Sequence, residues 1–214
     1  MGEAKRRRLR EAEQKDQRDA LAEAVERVGA ALRKLATAAS GNIGRDCYLH
    51  AVLGQKLMAE LGFKCYVAVG YAAWRVGSGD GDVISHTPHT VGHVPAGMKG
   101  FAYHAWLTYE DFIIDLTTYQ LEVKARELDA ADGGHTTVAW CPPALLLPKR
   151  AVRTYQQVAK APDAGVAHYH AEPALGLKMM EGFKLDLDAL AAARLILANP
   201  SMQVMGPNDV STAQ

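Results

Sequence analysis

The chain has 214 residues, of which 49% are hydrophobic and 22% charged, and its formal net charge at pH 7 is zero. This composition is typical of a soluble globular protein and argues against wholesale disorder. A zero net charge provides no global attraction to nucleic acid, to a membrane or to an acidic substrate, so a partner has to be inferred from a site.

Residues 3–39 predict a long amphipathic helix, or two helices end to end, because their apolar side chains recur mostly at steps of three and four residues. The basic run at 5–10 is expected to be a solvated helix face rather than a nucleic-acid site, because the aromatic residues needed for base stacking are missing. Two glycines and an asparagine at 40–45 predict a loop. A second, centrally buried helix is predicted at 46–61, ending at Gly62.

The middle of the chain predicts a sheet. Residues 64–74 are rich in aromatic and β-branched residues, with apolar or small residues on both faces, which predicts an interior strand. A long loop at 76–99 contains one short strand at 83–85, and loops of this length are often functional. Two further strands, joined by a turn at Glu110-Asp111, are predicted at 101–109 and 112–117.

The last part of the chain mixes helices and strands. We expect, in order, a helix at 120–131, a strand at 136–140, an apolar run at 144–147, strands at 152–158 and 166–170, and a helix at 183–197. Helices first and strands afterwards indicate an α+β class. We divide the chain into an N-terminal helical extension at 1–39, one domain at 40–200 and a loose tail at 201–214.

The cysteines and the apolar segments of the sequence predict where in the cell the protein is located. Cys47, Cys65 and Cys141 include no Cys-x-x-Cys pair, which fits a reducing environment better than a disulfide-stapled secreted domain. No stretch approaches the roughly 18 apolar residues of a membrane span, and the basic N-terminus lacks the apolar segment of a secretory signal. We therefore expect a cytoplasmic protein that does not enter a membrane, with homo-oligomerisation left open.

Cys47 stands in the first turn of the helix predicted at 46–61. A helix N-terminus together with an imidazolium neighbour favours the reactive thiolate form of a cysteine. Asp46 beside it opposes the thiolate, unless its side chain turns away to cap the helix. A free cysteine is also commonly no more than a small buried hydrophobe, so Cys47 alone decides nothing.

The hairpin at 101–117 supplies candidates for the rest of a site. If its loop has an even number of residues, Trp106 faces Asp115, and His104 lies on the same face as a diagonal neighbour of Asp115. A carboxylate placed in this way can hold an imidazole whose other nitrogen faces a thiol. An odd loop would put His104 and Asp115 on opposite faces, and each would then be an ordinary core histidine or turn aspartate.

Residues 40–120 resemble the transglutaminase-like domain of the papain-like cysteine-nucleophile superfamily. The resemblance rests on Cys47 leading a helix into the segment 60–71, followed by His-Ala-Trp-Leu at 104–107 and Ile-Asp-Leu-Thr at 114–117. It implies a papain-like fold, in which a central helix carrying the cysteine packs on an antiparallel sheet. The family's usual proline after the aspartate is replaced by Leu116, and residues 74–100 have no counterpart.

Members of this superfamily carry a Cys-His-Asp triad that cleaves, deamidates or transfers acyl groups through a thioester, without a cofactor. The resemblance implies that Cys47 is the nucleophile, His104 the general base and acid, and Asp115 the orienting carboxylate. The backbone N–H of Cys47 and the Asn42 side chain would form an oxyanion hole, with Trp106 as a supporting residue. A turn asparagine is an equally good explanation of Asn42. The implied substrate is a protein, peptide or small amide.

Other constellations remain open. A loop carries three histidines that could bind zinc, His86, His89 and His93, although no cysteine or carboxylate completes a tight four-ligand pattern. His50 is close to Cys47 along the helix and would only compete with His104. Cys65 and Cys141 are expected to be packing thiols. Two alternative functions are a catalytically inactive papain-like binding module and a metal-binding protein that uses the histidine loop.

Overall fold

The structure is a computed structural model and describes residues 3–41, 43–86 and 102–209, apart from the side chains of residues 3–5 and 8–10. The described helices are α1 (Glu3–Ala39), α2 (Cys47–Glu60), α3 (Leu121–Asp132), α4 (Tyr155–Ala159), α5 (Pro173–Gly182) and α6 (Leu187–Ala198). The strands are β1 (Tyr66–Arg75), β2 (Val83–His86), β3 (His104–Tyr109), β4 (Phe112–Asp115), β5 (Leu145–Pro148) and β6 (Val166–Ala171). Short 3-10 helices occupy Thr118–Gln120 and Lys149–Ala151.

The sheet is antiparallel and is built on β1. Residues 66–70 of β1 pair with β3, residues 72–75 pair with β2, and residues 70–75 pair with β6. β4 continues the sheet between β3 and β5. The predicted interior strand is therefore confirmed, and the chain is an α+β protein.

Both faces of the sheet are covered. Successive side chains of a strand point to opposite faces, so Leu107 and Ile114 join the larger core with α2, while Trp106 and Ile113 join a smaller core with Trp74. All five side chains are almost completely buried. This two-sided burial fixes the register of the β3–β4 hairpin, because a slip of one residue would exchange the two faces.

α1 is one continuous helix whose two halves differ. Residues 11–20 are exposed, whereas from Leu21 onwards the apolar stripe that includes Val25, Val28 and Leu32 is buried in the larger core. The second half of the predicted extension thus forms part of the same core as α2. None of the helices in the described ranges combines the length and the apolar character that a membrane crossing requires.

The strand predicted at 136–140 is not formed. N–H groups of this segment bind the carboxylates of Asp129 and Asp82 and the carbonyl of Val76. Its backbone N–H groups are therefore satisfied by side chains and a single carbonyl instead of by the hydrogen bonds of a neighbouring strand. The β-branched composition of the segment does not indicate these partners.

Near the C-terminus a second predicted strand is wrong, and the predicted last helix is present but starts later than expected. Residues 152–158 were expected as a strand, but Thr154 and Gln157 form a reciprocal capping box that starts α4. The helix predicted at 183–197 begins only at Leu187, because Asp186 accepts the N–H groups of the first turn. The preceding α5 was not predicted.

Residues 201–209, expected to be a loose tail, lie against the end of α1. The Asn208 N–H donates to the Ala38 carbonyl at 3.0 Å, and the Asn208 side chain donates to the carbonyls of Thr37 and Ser40. Residues 210–214 lie outside the described part of the chain.

Candidate active site

The β3–β4 hairpin brings His104 against Asp115. Its turn has two residues, and the pairing of Tyr109 with Phe112 sets the register expected for an even loop. His104 and Asp115 are then diagonal neighbours on one face, and the distance from His104 Nε2 to Asp115 Oδ2 is 2.8 Å. The side-chain contact predicted from loop parity is present.

Asp115 is completely buried and accepts four hydrogen bonds. The Thr117 N–H and hydroxyl donate to Oδ1 at 3.0 and 2.8 Å, and the Tyr169 hydroxyl donates to Oδ2 at 2.8 Å beside the His104 bond. Burial acts to raise the pKa of Asp115, but the His104 charge and these hydrogen bonds outweigh it and lower the pKa. The carboxylate is therefore held in its charged form.

Three aromatic side chains enclose the His104 ring. Trp106 is stacked on it with ring centroids 6.1 Å apart, and Trp74 meets it edge-on at 4.7 Å. Trp74 Nε1 donates to the Tyr169 hydroxyl at 2.9 Å, which in turn donates to Asp115. Trp106, predicted as a supporting residue, therefore packs directly against the His104 ring.

The His104 imidazole is held in its charged form by its neighbours. Burial acts to lower the pKa of His104, but the charge and hydrogen bond of Asp115, with a hydrogen bond to the Cys47 side chain, raise the pKa to about 10. Because Asp115 occupies Nε2, Nδ1 is the ring nitrogen left for the sulfur.

Cys47 is the first residue of α2. Its N–H is one of the first four of the helix, which have no partner within the helix itself. Cys47 and His104 line the same cavity, whose volume is about 20 Å³, enough for about one water molecule. The cavity also borders Thr118, Gln120 and Lys124.

The Asp46 side chain does not cap α2. Its Oδ2 accepts from the Ser40 hydroxyl at 2.9 Å and its Oδ1 from Gln120 Nε2 at 2.8 Å. Gln120 Oε1 accepts the Gly44 N–H at 2.8 Å. Gln120 therefore holds the loop that precedes Cys47 in place through hydrogen bonds to Gly44 and Asp46.

His50 binds elsewhere. Its Nδ1 lies 3.1 Å from the Asp46 carbonyl oxygen and its Nε2 lies 3.0 Å from the Tyr119 hydroxyl. His50 is not among the described residues that line the Cys47 cavity.

Only the first residue of the histidine loop can be placed. His86 ends β2 and lines the Cys47 cavity, with its ring centroid 5.6 Å from that of His104. Burial, together with the charges of His104 and Lys124, lowers the pKa of His86 to about 3. Among the residues that the structure describes, no group of three His, Cys, Asp or Glu side chains is arranged to hold a metal ion. His89, His93 and Asn42 lie outside those residues.

The other two cysteines differ from Cys47 in their surroundings. Burial raises the pKa of Cys65 to about 11. Cys141 is half-buried, and its thiol donates to the Thr118 carbonyl at 3.3 Å. Neither belongs to the described lining of the Cys47 cavity.

Sequence reasoning missed Tyr169 and Gln120. Tyr169 is 54 residues from Asp115 along the chain and Gln120 is 74 residues from Asp46, so no local pattern joins either pair. Thr117 carried a signal, because a hydroxyl two residues after an aspartate commonly closes a local turn onto its carboxylate.

The chain is similar in fold to a genomics target of known crystal structure. The TM-score is 0.50 and the identity 14%, over 81% of this chain and 77% of that chain. A likeness at this level of identity concerns the fold alone. No protein-family model and no curated protein matches the sequence.

Proposed function

We propose that the protein is a cysteine-nucleophile enzyme with a papain-like or transglutaminase-like fold, which cleaves or transfers the acyl group of an amide or isopeptide bond. The observation that carries the proposal is the line from Cys47 through His104 to Asp115. A thiol at a helix N-terminus lines the same small cavity as an imidazole, and the far nitrogen of that imidazole binds a fully buried carboxylate. This combination of groups is the one that activates a sulfur nucleophile.

In the proposed reaction His104 holds the proton of the Cys47 thiol, and the sulfur attacks the carbonyl carbon of the amide. The new carbon–sulfur bond forms as the carbonyl electron pair moves onto oxygen, where the Cys47 N–H can donate to it. His104 then passes its proton to the leaving nitrogen, the carbon–nitrogen bond breaks and a thioester remains. Water or an amine, deprotonated by His104, resolves the thioester and restores the thiol.

Asp115 is assigned the orienting role. Its bond to Nε2 of His104 fixes the ring so that Nδ1 faces the sulfur, and its charge stabilises the imidazolium that forms. The bonds from Thr117 and Tyr169 keep the carboxylate itself in one position. Asp115 does not need to change protonation state during the reaction.

One observation favours a second candidate, a binding module that keeps the site without the reaction. The cavity beside Cys47 is about 20 Å³, far below the roughly 300 Å³ at which ligand pockets begin. Under the enzyme proposal the cavity has to widen when substrate binds. An inactive module needs no such opening.

Alkylation of the three cysteines separates the two candidates. The protein is treated with iodoacetamide at pH 6, and each cysteine is quantified by mass spectrometry against the same protein unfolded in urea. We expect Cys47 to react at least about tenfold faster than in the unfolded chain, while Cys65 is protected by its burial. Cys47 reacting no faster than in the unfolded chain would leave the binding module as the better explanation.

A further inference from the structure

The wall of the Cys47 cavity carries positive charge and, among its described residues, no carboxylate. Its charged side chains are those of His104 and Lys124, while His86 on the same wall is neutral at physiological pH. Apart from the Cys47 sulfur, which is anionic when His104 holds its proton in the proposed reaction, the remaining described lining residues are uncharged. Apart from that sulfur, a ligand group that enters this cavity therefore meets hydrogen-bond donors and cations rather than carboxylates.

The nearby carboxylates are already occupied by protein groups. Asp115 accepts four hydrogen bonds, and Asp46 accepts bonds from Ser40 and Gln120. Neither carboxylate lies among the described lining residues. Asp115 is already paired with His104, so Lys124 is the cation on the described wall that neither of these two carboxylates binds.

Lys124 shares its own partner with a second cation. Its Nζ lies 3.3 Å from Glu127 Oε2, and Arg45 Nε lies 3.5 Å from the same oxygen. One carboxylate thus faces two positive charges, which leaves a net charge of about +1 in this group of three. The Lys124 side chain is 18% exposed whereas that of Arg45 is 68% exposed, so the cation nearer the cavity is the less hydrated one.

The Lys124 charge also acts inside the cavity. It is one of the causes, after burial and the His104 charge, of the lowered pKa of His86. An ammonium with little access to water gains from a second anionic partner, because its desolvation is only partly offset by a shared carboxylate.

We infer that Lys124 is a specificity-determining residue, which receives a carboxylate on the substrate next to the amide that Cys47 attacks. This inference rests on the proposed function and narrows its substrate class to amides that carry a carboxylate close to the reacting carbonyl. When such a group binds, Glu127 retains Arg45 as its partner. Lys124 then leaves the Glu127 carboxylate, which it shared with Arg45, and pairs with the substrate carboxylate alone.

Two alkylating reagents of nearly equal size test the inference. Iodoacetate carries a carboxylate next to the reacting carbon and iodoacetamide carries a neutral amide. In both, the sulfur bonds to that carbon and iodide leaves into solution. The readout is the ratio of the iodoacetate rate to the iodoacetamide rate at Cys47, at pH 7 and low salt. The ratio cancels changes in the reactivity of the sulfur and reports the charge of its surroundings.

We expect Lys124→Gln to lower the ratio about threefold, the size of effect of one charge at short range in a partly hydrated site. Glu127→Gln removes the competing anion and should raise the ratio, and Lys124→Arg should keep it close to the wild-type value. The matched control is Lys64→Gln, an exposed lysine beyond the far end of α2, roughly 20 Å of helix away from Cys47. Its ratio should stay at the wild-type value.

The outcomes separate the inference from the function beneath it. If Cys47 reacts rapidly with iodoacetamide but Lys124→Gln leaves the ratio unchanged, or changes it no more than Lys64→Gln, Lys124 does not select for anions and the enzyme proposal still stands. If wild-type Cys47 reacts with neither reagent faster than in the unfolded chain, both proposals are overturned.

Discussion

Two buried histidine–aspartate pairs flank Cys47. They differ in whether the histidine keeps a ring nitrogen that could bind the Cys47 sulfur. In the first pair, His104 Nε2 lies 2.8 Å from Asp115 Oδ2, and His104 lines the same cavity as Cys47. In the second pair, His50 Nδ1 lies 3.4 Å from Asp46 Oδ1, and both ring nitrogens have partners within the protein. The first pair retains a nitrogen for chemistry, and the second pair does not.

This difference shows that closeness in sequence is a poor guide to function at this site. His50 is three residues from Cys47, yet it joins Asp46 and Tyr119 to hold the helix start in place. His104 is 57 positions further along the chain, and it lines the same cavity as Cys47 only because α2 packs against the sheet that contains the β3–β4 hairpin. The distant pair is assembled by tertiary structure, and its geometry is what supports the chemical role proposed for it.

The largest difference between the pairs is expected in stability. Asp115→Ala leaves a buried imidazolium and two hydroxyl groups without their acceptor, and should lower the free energy of unfolding by about 3 to 5 kcal/mol. Asp46→Ala removes the acceptor of two neutral donors, the Ser40 hydroxyl and the Gln120 amide. It should lower the free energy of unfolding by about 1 to 3 kcal/mol. Urea unfolding at pH 7 measures both. An equal or larger loss in Asp46→Ala would contradict this ranking.

The same substitution at the two histidines should separate their chemistry. His104→Gln removes the imidazole that contacts the sulfur, and should slow the alkylation of Cys47 by iodoacetamide at pH 6 on the order of 100-fold. His50→Gln is the matched control, because the His50 ring nitrogens bind Asp46 and Tyr119 and His50 is not among the described residues that line the Cys47 cavity. The rate at Cys47 should stay within about twofold of wild type. Equal rates in the two variants would remove the distinction between the pairs.

The dependence of stability on pH should sharpen the account of His104. Its pKa is raised in the folded state from 6.5 to about 10, so its stabilising contribution is complete below pH 6.5 and is lost as the pH rises through about 10. The pKa of Asp115 is lowered from 3.8, so its contribution is present above that value and is lost in more acidic solution.

The stability difference between wild type and His104→Gln should therefore be largest between about pH 4 and pH 6.5. It should shrink above that range by at most about 1.4 kcal/mol per pH unit. Urea unfolding of both proteins at pH 6 and pH 9.5 measures the change. A difference that increases with pH would mean that His104 is neutral in the folded state.

The smallest effect is expected at the two tyrosines. Tyr169→Phe removes a donor to Asp115 and the acceptor of the Trp74 N–H, and should cost about 1.5 to 3 kcal/mol because a buried charge loses a partner. Tyr119→Phe removes the partner of His50 Nε2 and should cost about 1 kcal/mol, as for a bond between neutral groups. Thermal or urea unfolding of the pair checks the order, and a reversed order would show that the Asp115 network is the weaker one.

Part of this site could be predicted from the sequence because it depends on local rules. The two-residue turn and the two-period of a strand place His104 and Asp115 on one face, and the loop-to-helix transition places Cys47 at a helix start. The direction of the Asp46 carboxylate could not be predicted, because it is decided by Gln120, whose position depends on how the 3-10 turn after β4 packs against the loop before α2.

The same limit applies to the fold. The interior strand β1 and the helix α2 follow from apolar patterning, and both are present. The segments at 136–140 and 152–158 have the composition of strands, but a carboxylate such as Asp82 or a capping threonine such as Thr154 gives their backbone another partner. A side chain and a neighbouring strand can compete for the same backbone N–H group. Tertiary neighbours decide which of them binds it, and the composition of a segment does not report those neighbours.

The central claim is that Cys47 accepts an acyl group with the help of His104, and trapping that acyl group tests it most directly. The protein is incubated with 4-nitrophenyl acetate, and intact and peptide mass spectrometry follow. The account predicts one acetyl group on Cys47, removed by hydroxylamine as expected for a thioester, present in His50→Gln and lost in His104→Gln. Acetylation that bypasses Cys47, or that proceeds equally well in His104→Gln, would contradict it.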